Sequence, residues 1–129
     1  MKVDWETNKI FGINPETPLP MACTAVRIAA LRAHSESIHV ETTKEIQPEY
    51  FREILEGTRG VEVVDDPSNN IYPMQITSSN RDDVAVGRIR YCNAFEKGLS
   101  FYVCGDQIRK GAALNAVQIA EVVYSERFL

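Results

Sequence analysis

No run of apolar residues in this chain approaches the ~20 needed to cross a bilayer, so a membrane-spanning helix is not expected. The opening MKVDWETNKIFG carries Asp4 and Glu6 and has no apolar h-region, so it does not read as a signal peptide. Cysteine is sparse. Cys23, Cys92 and Cys104 make an odd count without Cys-x-x-Cys spacing, which predicts reduced thiols in a cytoplasmic protein. Histidine is sparser still: only His34 and His39 could offer imidazole to a metal, and no cysteine stands near them in ligand spacing. No metal is expected. A basic excess is also missing, and the formal net charge of −4 gives no electrostatic reason to bind nucleic acid or an anionic membrane. There is no internal repeat and no Gly-rich dinucleotide loop.

What is present fits one soluble domain. A chain of 129 residues can bury about two-thirds of its unfolded surface. Taken in order, residues 4–11 read as the end of a helix stopped by Gly12, with its beginning outside the chain. INPETPLP (13–20) is a proline-rich connector. The alanine-rich stretch 22–31 lacks polar alternation and predicts a buried strand. Residues 36–43 alternate, with Ile38 and Val40 on one face and Ser37, His39 and Glu41 on the other, so they predict a half-buried strand. His39 then faces solvent and is given no role.

Pro48 and Gly57 bracket a surface helix over 48–56, and 61–64 is a short strand. DDPSNN (65–70) is a turn, Tyr72-Pro73 opens an irregular crossing, and SSNRDD (78–83) is a polar loop. Residues 84–91 and 99–104 predict paired strands, with Val84, Val86, Arg88 and Arg90 sharing one face. Gly87 inside the first of them points to close packing. Asp106 can cap a last helix, 107–125, that is apolar around most of its circumference and must be covered on several sides. The expected fold is α+β: a mixed, mainly antiparallel sheet with helices on one face and the other left for a partner.

One stretch stands out chemically. RIAALRAHSESIHVE (27–41) sets Arg27 seven residues before His34 in small, apolar surroundings. A charge there is costly to bury unless it is paired. The guanidinium fork suits a carboxylate or phosphate, and histidine is the side chain most easily used as an acid or base near neutral pH. The same residues also fit an edge-strand arginine bridged at the surface, followed by a turn histidine. Side chains seven apart on one regular strand point to opposite faces. Convergence of Arg27 and His34 therefore demands a bulge, bend or break between Ala29 and Ser35.

Several segments, in order, resemble the C-terminal part of aspartate-semialdehyde dehydrogenase: ETNKI (6–10), RIAALRAHSESIHVE (27–41), VEVVDDPSNNIYP (61–73), VAVGRIR (84–90) and GDQIRKGAALNAVQIAE (105–121). The resemblance implies a C-terminal dimerisation domain spanning 1–129, of the glyceraldehyde-3-phosphate-dehydrogenase-like type, with the N-terminal Rossmann domain absent. It implies NADPH-dependent, reversible reduction of L-aspartyl 4-phosphate to L-aspartate 4-semialdehyde and phosphate, on the route to lysine, threonine and methionine. By position, Arg27 matches the arginine that grips the substrate carboxylate, and His34 the acid/base beside the nucleophile. Gln107 matches a position near the nicotinamide of NADP at the head of the last helix. Lys2 matches a lysine that helps bind substrate or phosphate. A homodimer is implied, and the missing N-terminal half is a further partner.

Cys23-Thr24 invites a false match to the family's nucleophile, but the nucleophile belongs to the N-terminal half. Cys23 reads as structural, kept inert by buried apolar surroundings. The isolated chain is accordingly expected to be inactive. Two other classes compete with the enzyme reading: a non-catalytic paralogue acting as a dimerisation module, and a free-standing small-molecule-binding domain.

Overall fold

The computed structural model describes residues 2–128. A helix, α1 (Lys2–Ile10), is ended by Gly12, whose φ of +63° is one that L side chains rarely adopt. A long irregular segment then leads to the first strand, β1 (His34–Glu41). α2 (Pro48–Glu56) follows, with proline in its first turn where a missing N–H does no harm. The short β2 (Val61–Val63) comes next, then a turn and a four-residue helix, α3 (Gln75–Ser78). β3 (Val84–Tyr91) and β4 (Gly98–Gly105) form a hairpin, and α4 (Leu114–Phe128) closes the chain.

The strands make one sheet in the order β1-β4-β3-β2. β1 pairs antiparallel with β4, β4 antiparallel with β3, and β3 parallel with β2. The expected mixed, mainly antiparallel α+β sheet is therefore present. Leu99, Phe101 and Val103 of β4 share a face with Ile38 and Val40 by strand alternation. α2 packs there, with the Phe51 and Phe101 rings 5.2 Å apart. Opposite it, α3 reaches the end of β1, where Gln75 Nε2 donates to Ser35 Oγ at 2.6 Å.

Gly87 and Asp65 explain how β3 is built. A Cβ on Gly87 would lie 2.1 Å from the Val64 carbonyl oxygen and 2.7 Å from Cδ of Pro73, so only glycine fits. The pairing then slips between Gly87 and Arg90, and Arg88 takes φ 57°. The Asp65 carboxylate, with its side chain only 1% exposed, accepts from the Arg88 and Ile89 amides at 2.8 and 3.2 Å and from Arg52 Nη2 at 2.6 Å. This bulge corrects one expectation. Val86 pairs with Val103 but Arg90 pairs with Ser100, so Arg90 does not share the face of Val84 and Val86.

Two more expectations are corrected. Residues 22–31 form no strand: Val26, Ile28 and Leu31 are exposed and pair with no described strand. Cys23 is half-buried in that irregular segment rather than sealed inside a sheet. The last helix does not run unbroken from 107. A π-helical turn, Arg109–Ala113, precedes α4, with Ala113 N bonded to Ile108 O at 2.9 Å. Along α4 the residues Val117, Ile119, Val122, Val123 and Tyr124 are exposed. The apolar circumference legible in the sequence is real, but no described element covers it. No described helix is long and apolar enough to cross a membrane.

Candidate active site

The site grows from the join between β1 and β4. His34, the first residue of β1, is paired with Gly105, the last of β4. Just before it, Ala33 is buried and left-handed at φ 69°, a conformation rare for a residue with a Cβ. Its amide donates to Oε1 of Gln107 at 2.9 Å. One residue earlier, Arg32 Nε donates to Oδ2 of Asp106 at 2.7 Å. Residues 32–34 are thus fastened one by one to 105–107.

Asp106 is completely buried, and both its oxygens are committed. Oδ2 also accepts from the Asn80 amide at 2.7 Å, while Oδ1 accepts from the amides of Ile108 and Arg109 at 2.9 and 3.2 Å. The last two bonds are the helix cap that the sequence predicts for this residue. Burial pushes its pKa up, but the Arg32 guanidinium and the three amides outweigh that and hold the carboxyl well below the usual carboxylate range. Arg109 reaches across to an ion pair with Asp82, which holds its guanidinium above the ordinary arginine value. The polar loop 78–83 is thereby tied to the same centre.

An open cleft of ≈ 350 Å³ lies beside this centre, lined by Arg32, Ile108, Arg109, Ala113, Leu114 and Val117. Its lining combines four apolar residues with two arginines, each already paired with a carboxylate. Among the described residues, no three histidine, cysteine, aspartate or glutamate side chains gather to hold a metal.

The four residues singled out in the sequence fall as follows. His34 is exposed at the start of β1, on the side of the sheet that carries Glu36 and Ile38. Gln107 is half-buried and directly bonded to the residue before His34. Arg27 is exposed in the irregular segment, with no hydrogen bond or ion pair to any described residue. Lys2 is exposed on α1 and meets the half-buried Glu6 at 3.6 Å. The structure therefore bonds Gln107 to the residue before His34, pairs Lys2 with Glu6, and leaves Arg27 without a partner among the described residues. Ala33 is left-handed where the chain enters β1, but the stretch before it forms no strand, and the cleft described above is lined by neither Arg27, His34 nor Gln107. Sequence reasoning missed Arg32 and the full part played by Asp106. A signal was available: a second arginine in the alanine-rich run, and a Gly-Asp pair immediately before the last helix.

This geometry can be set against known proteins. The model of the semialdehyde dehydrogenase dimerisation domain matches residues 1–110. The chain belongs to that family. An aspartate-semialdehyde dehydrogenase of Aquifex aeolicus is 51% identical over 97% of the chain, and one of Prochlorococcus marinus is 46% identical over 95%. The chain spans only 36% and 35% of those two relatives, about a third of their length. Among solved structures, aspartate semialdehyde dehydrogenase II of Vibrio cholerae, complexed with ASA, matches with a TM-score of 0.84 at 37% identity. That match covers 100% of this chain and 37% of the other. The Francisella tularensis enzyme matches with a TM-score of 0.78 at 26% identity, over 95% of this chain and 34% of that one.

Proposed function

We propose that this chain is the C-terminal, substrate-gripping and dimer-forming portion of a cytoplasmic aspartate-semialdehyde dehydrogenase. The whole enzyme reduces L-aspartyl 4-phosphate with NADPH to L-aspartate 4-semialdehyde and phosphate, reversibly. The observation that carries this reading is the 51% identity to the Aquifex aeolicus dehydrogenase over nearly the whole chain. In this reading the chain works as half of a site, completed by a nucleotide-binding half that supplies the nucleophilic thiol, and it pairs with a second copy.

Each residue then has a physical task. His34 stands exposed at a strand end whose backbone is fixed, so its imidazole can give or take a proton at the reacting carbonyl oxygen. Arg27, whose guanidinium has no partner among the described residues, clamps the substrate carboxylate through two parallel bonds. Lys2 adds a cation for carboxylate or phosphate. Gln107 fits a place beside a nicotinamide: its Oε1 is occupied by the Ala33 amide, which leaves the Nε2 hydrogens for a carboxamide acceptor. NADP, when bound, supplies or accepts the hydride.

The test is a joined enzyme in which these 129 residues replace the matching segment of the Aquifex aeolicus relative. Phosphate-dependent reduction of NADP with aspartate semialdehyde is the expected result. A folded joined protein without that activity refutes the reading.

A further inference from the structure

We propose that Arg32 and Asp106 form a positioning pair that aims the His34 imidazole by locking the backbone turn at Ala33. The inference rests on the reading of His34 as the acid/base, and it adds two residues that residue type and spacing did not assign to this task.

The geometry argues for it in three steps. First, Asp106 has a single arrangement available. It is fully buried, and its two oxygens accept four bonds, from Arg32, Asn80, Ile108 and Arg109. A cap on a helix needs amides only, and Ser, Thr or Asn could accept them. The guanidinium is what a buried charge requires in addition. Second, the Arg32 bond enters the chain two residues before His34, and the turn between them is left-handed at a buried alanine. Such a conformation persists when its surroundings over-determine it. Here the Arg32 side chain is fixed on one flank, the Ala33 amide on Gln107 in the middle, and the His34–Gly105 pairing on the other flank. Third, the pair acts at one end of β1 only. From Ser35 to Glu41 the strand runs in register with β4. An ionic clamp is not needed to hold a strand already paired along its length. It is needed where the chain enters that strand from an irregular segment, which is where His34 stands.

The test uses two measurements that separate this inference from the functional reading beneath it. In the 129-residue chain, amide hydrogen exchange is followed at Ala33 and, as a reference, at Phe101 in the middle of β4. Arg32→Gln should speed exchange at Ala33 by about 10-fold or more and leave Phe101 unchanged, since local opening is independent of the global transition. Arg32→Lys, which keeps a cation within reach of Asp106, should restore most of the protection. In the joined enzyme, Arg32→Gln should lower kcat by about 10- to 100-fold, with KM for aspartate semialdehyde within about threefold, the signature of a misaimed group rather than lost binding. Arg32→Lys should recover at least part of kcat.

Unchanged exchange at Ala33 in Arg32→Gln overturns the proposal. So does a loss expressed in KM alone, or equal effects of Gln and Lys. If the joined enzyme is inactive with Arg32 in place, the dehydrogenase reading fails, and the exchange result alone then decides whether the pair locks the turn.

Discussion

Replacing Gly87 by alanine tests whether the sheet is built as described. The added methyl would sit 2.1 Å from the Val64 carbonyl oxygen, where ordinary contact begins at 3.4 Å. It would also meet Pro73, a fully buried ring, at 2.7 Å. Neither neighbour is the flexible tip of a side chain. To accommodate the methyl, β2 and β3 must part by about an ångström, which endangers the 2.8 Å bond from Val64 N to Val86 O. Overpacking of this kind costs about 1–3 kcal/mol, and one lost backbone bond adds about 1 kcal/mol. A total near 3 kcal/mol is a large part of a domain's stability, and for this length it lowers Tm by roughly 10 °C. Thermal unfolding of the purified chain, followed by far-UV circular dichroism, reads it directly. Gly111→Ala is the control. Its new methyl meets nothing closer than 3.7 Å, and alanine is favoured over glycine in a helix by about 1 kcal/mol. Gly87→Ala melting within 2–3 °C of the parent (about 1 kcal/mol or less), or Gly111→Ala proving the more harmful, would mean that β2 and β3 do not meet as closely as described.

Three further outcomes are expected. Asp65→Ala strips Arg52 of its partner and leaves the Arg88 and Ile89 amides unbonded, so urea titration should show a loss of about 3–5 kcal/mol. Ala33→Gly removes the strain of a left-handed alanine, worth about 1–2 kcal/mol, against a glycine entropy cost of about 0.5–1 kcal/mol; Tm should therefore hold or rise slightly, while Ala33→Val should lower it. The Asp106 carboxyl titrates below its unfolded value of about 3.9, so the stability it contributes is full above that pH and drains away as pH falls further; Asp106→Asn should flatten that part of an acid-unfolding curve.

The elements differ, for physical reasons, in how plainly the sequence signals them. Gly87 announced a close approach or a bulge, because a strand glycine weakens the strand unless one of them needs it, and both are present: the Val64 carbonyl and Pro73 approach it, and the pairing slips just after it. Asp106 announced a helix cap because Gly-Asp before an apolar periodic run is a start signal, and two of its bonds are that cap. The other two bonds were invisible, since Arg32 and Asn80 lie 74 and 26 residues away along the chain. The stretch 22–31 misled because apolar composition reports that a segment is to be covered, not that it is a strand. The facing of Arg90 was misjudged for a similar reason: strict alternation fails at a bulge, and only the amides captured by Asp65 reveal it. At the candidate site, residue types and family spacing picked out Arg27, His34, Gln107 and Lys2. Of these the fold bonds Gln107 to the residue before His34, pairs Lys2 with Glu6 and leaves Arg27 without a partner among the described residues.

If Arg27 clamps the substrate carboxylate and His34 moves the proton, as proposed above, steady-state kinetics of the joined enzyme will separate the two roles. His34→Asn should lower kcat by about 10²–10⁴-fold with little change in KM for aspartate semialdehyde, as loss of a proton-transfer group does. Arg27→Ala should raise that KM by about tenfold or more, as loss of a carboxylate clamp does. If both variants retain the parent kcat and KM, neither residue serves the reaction, and Arg27 is a surface arginine and His34 a turn residue.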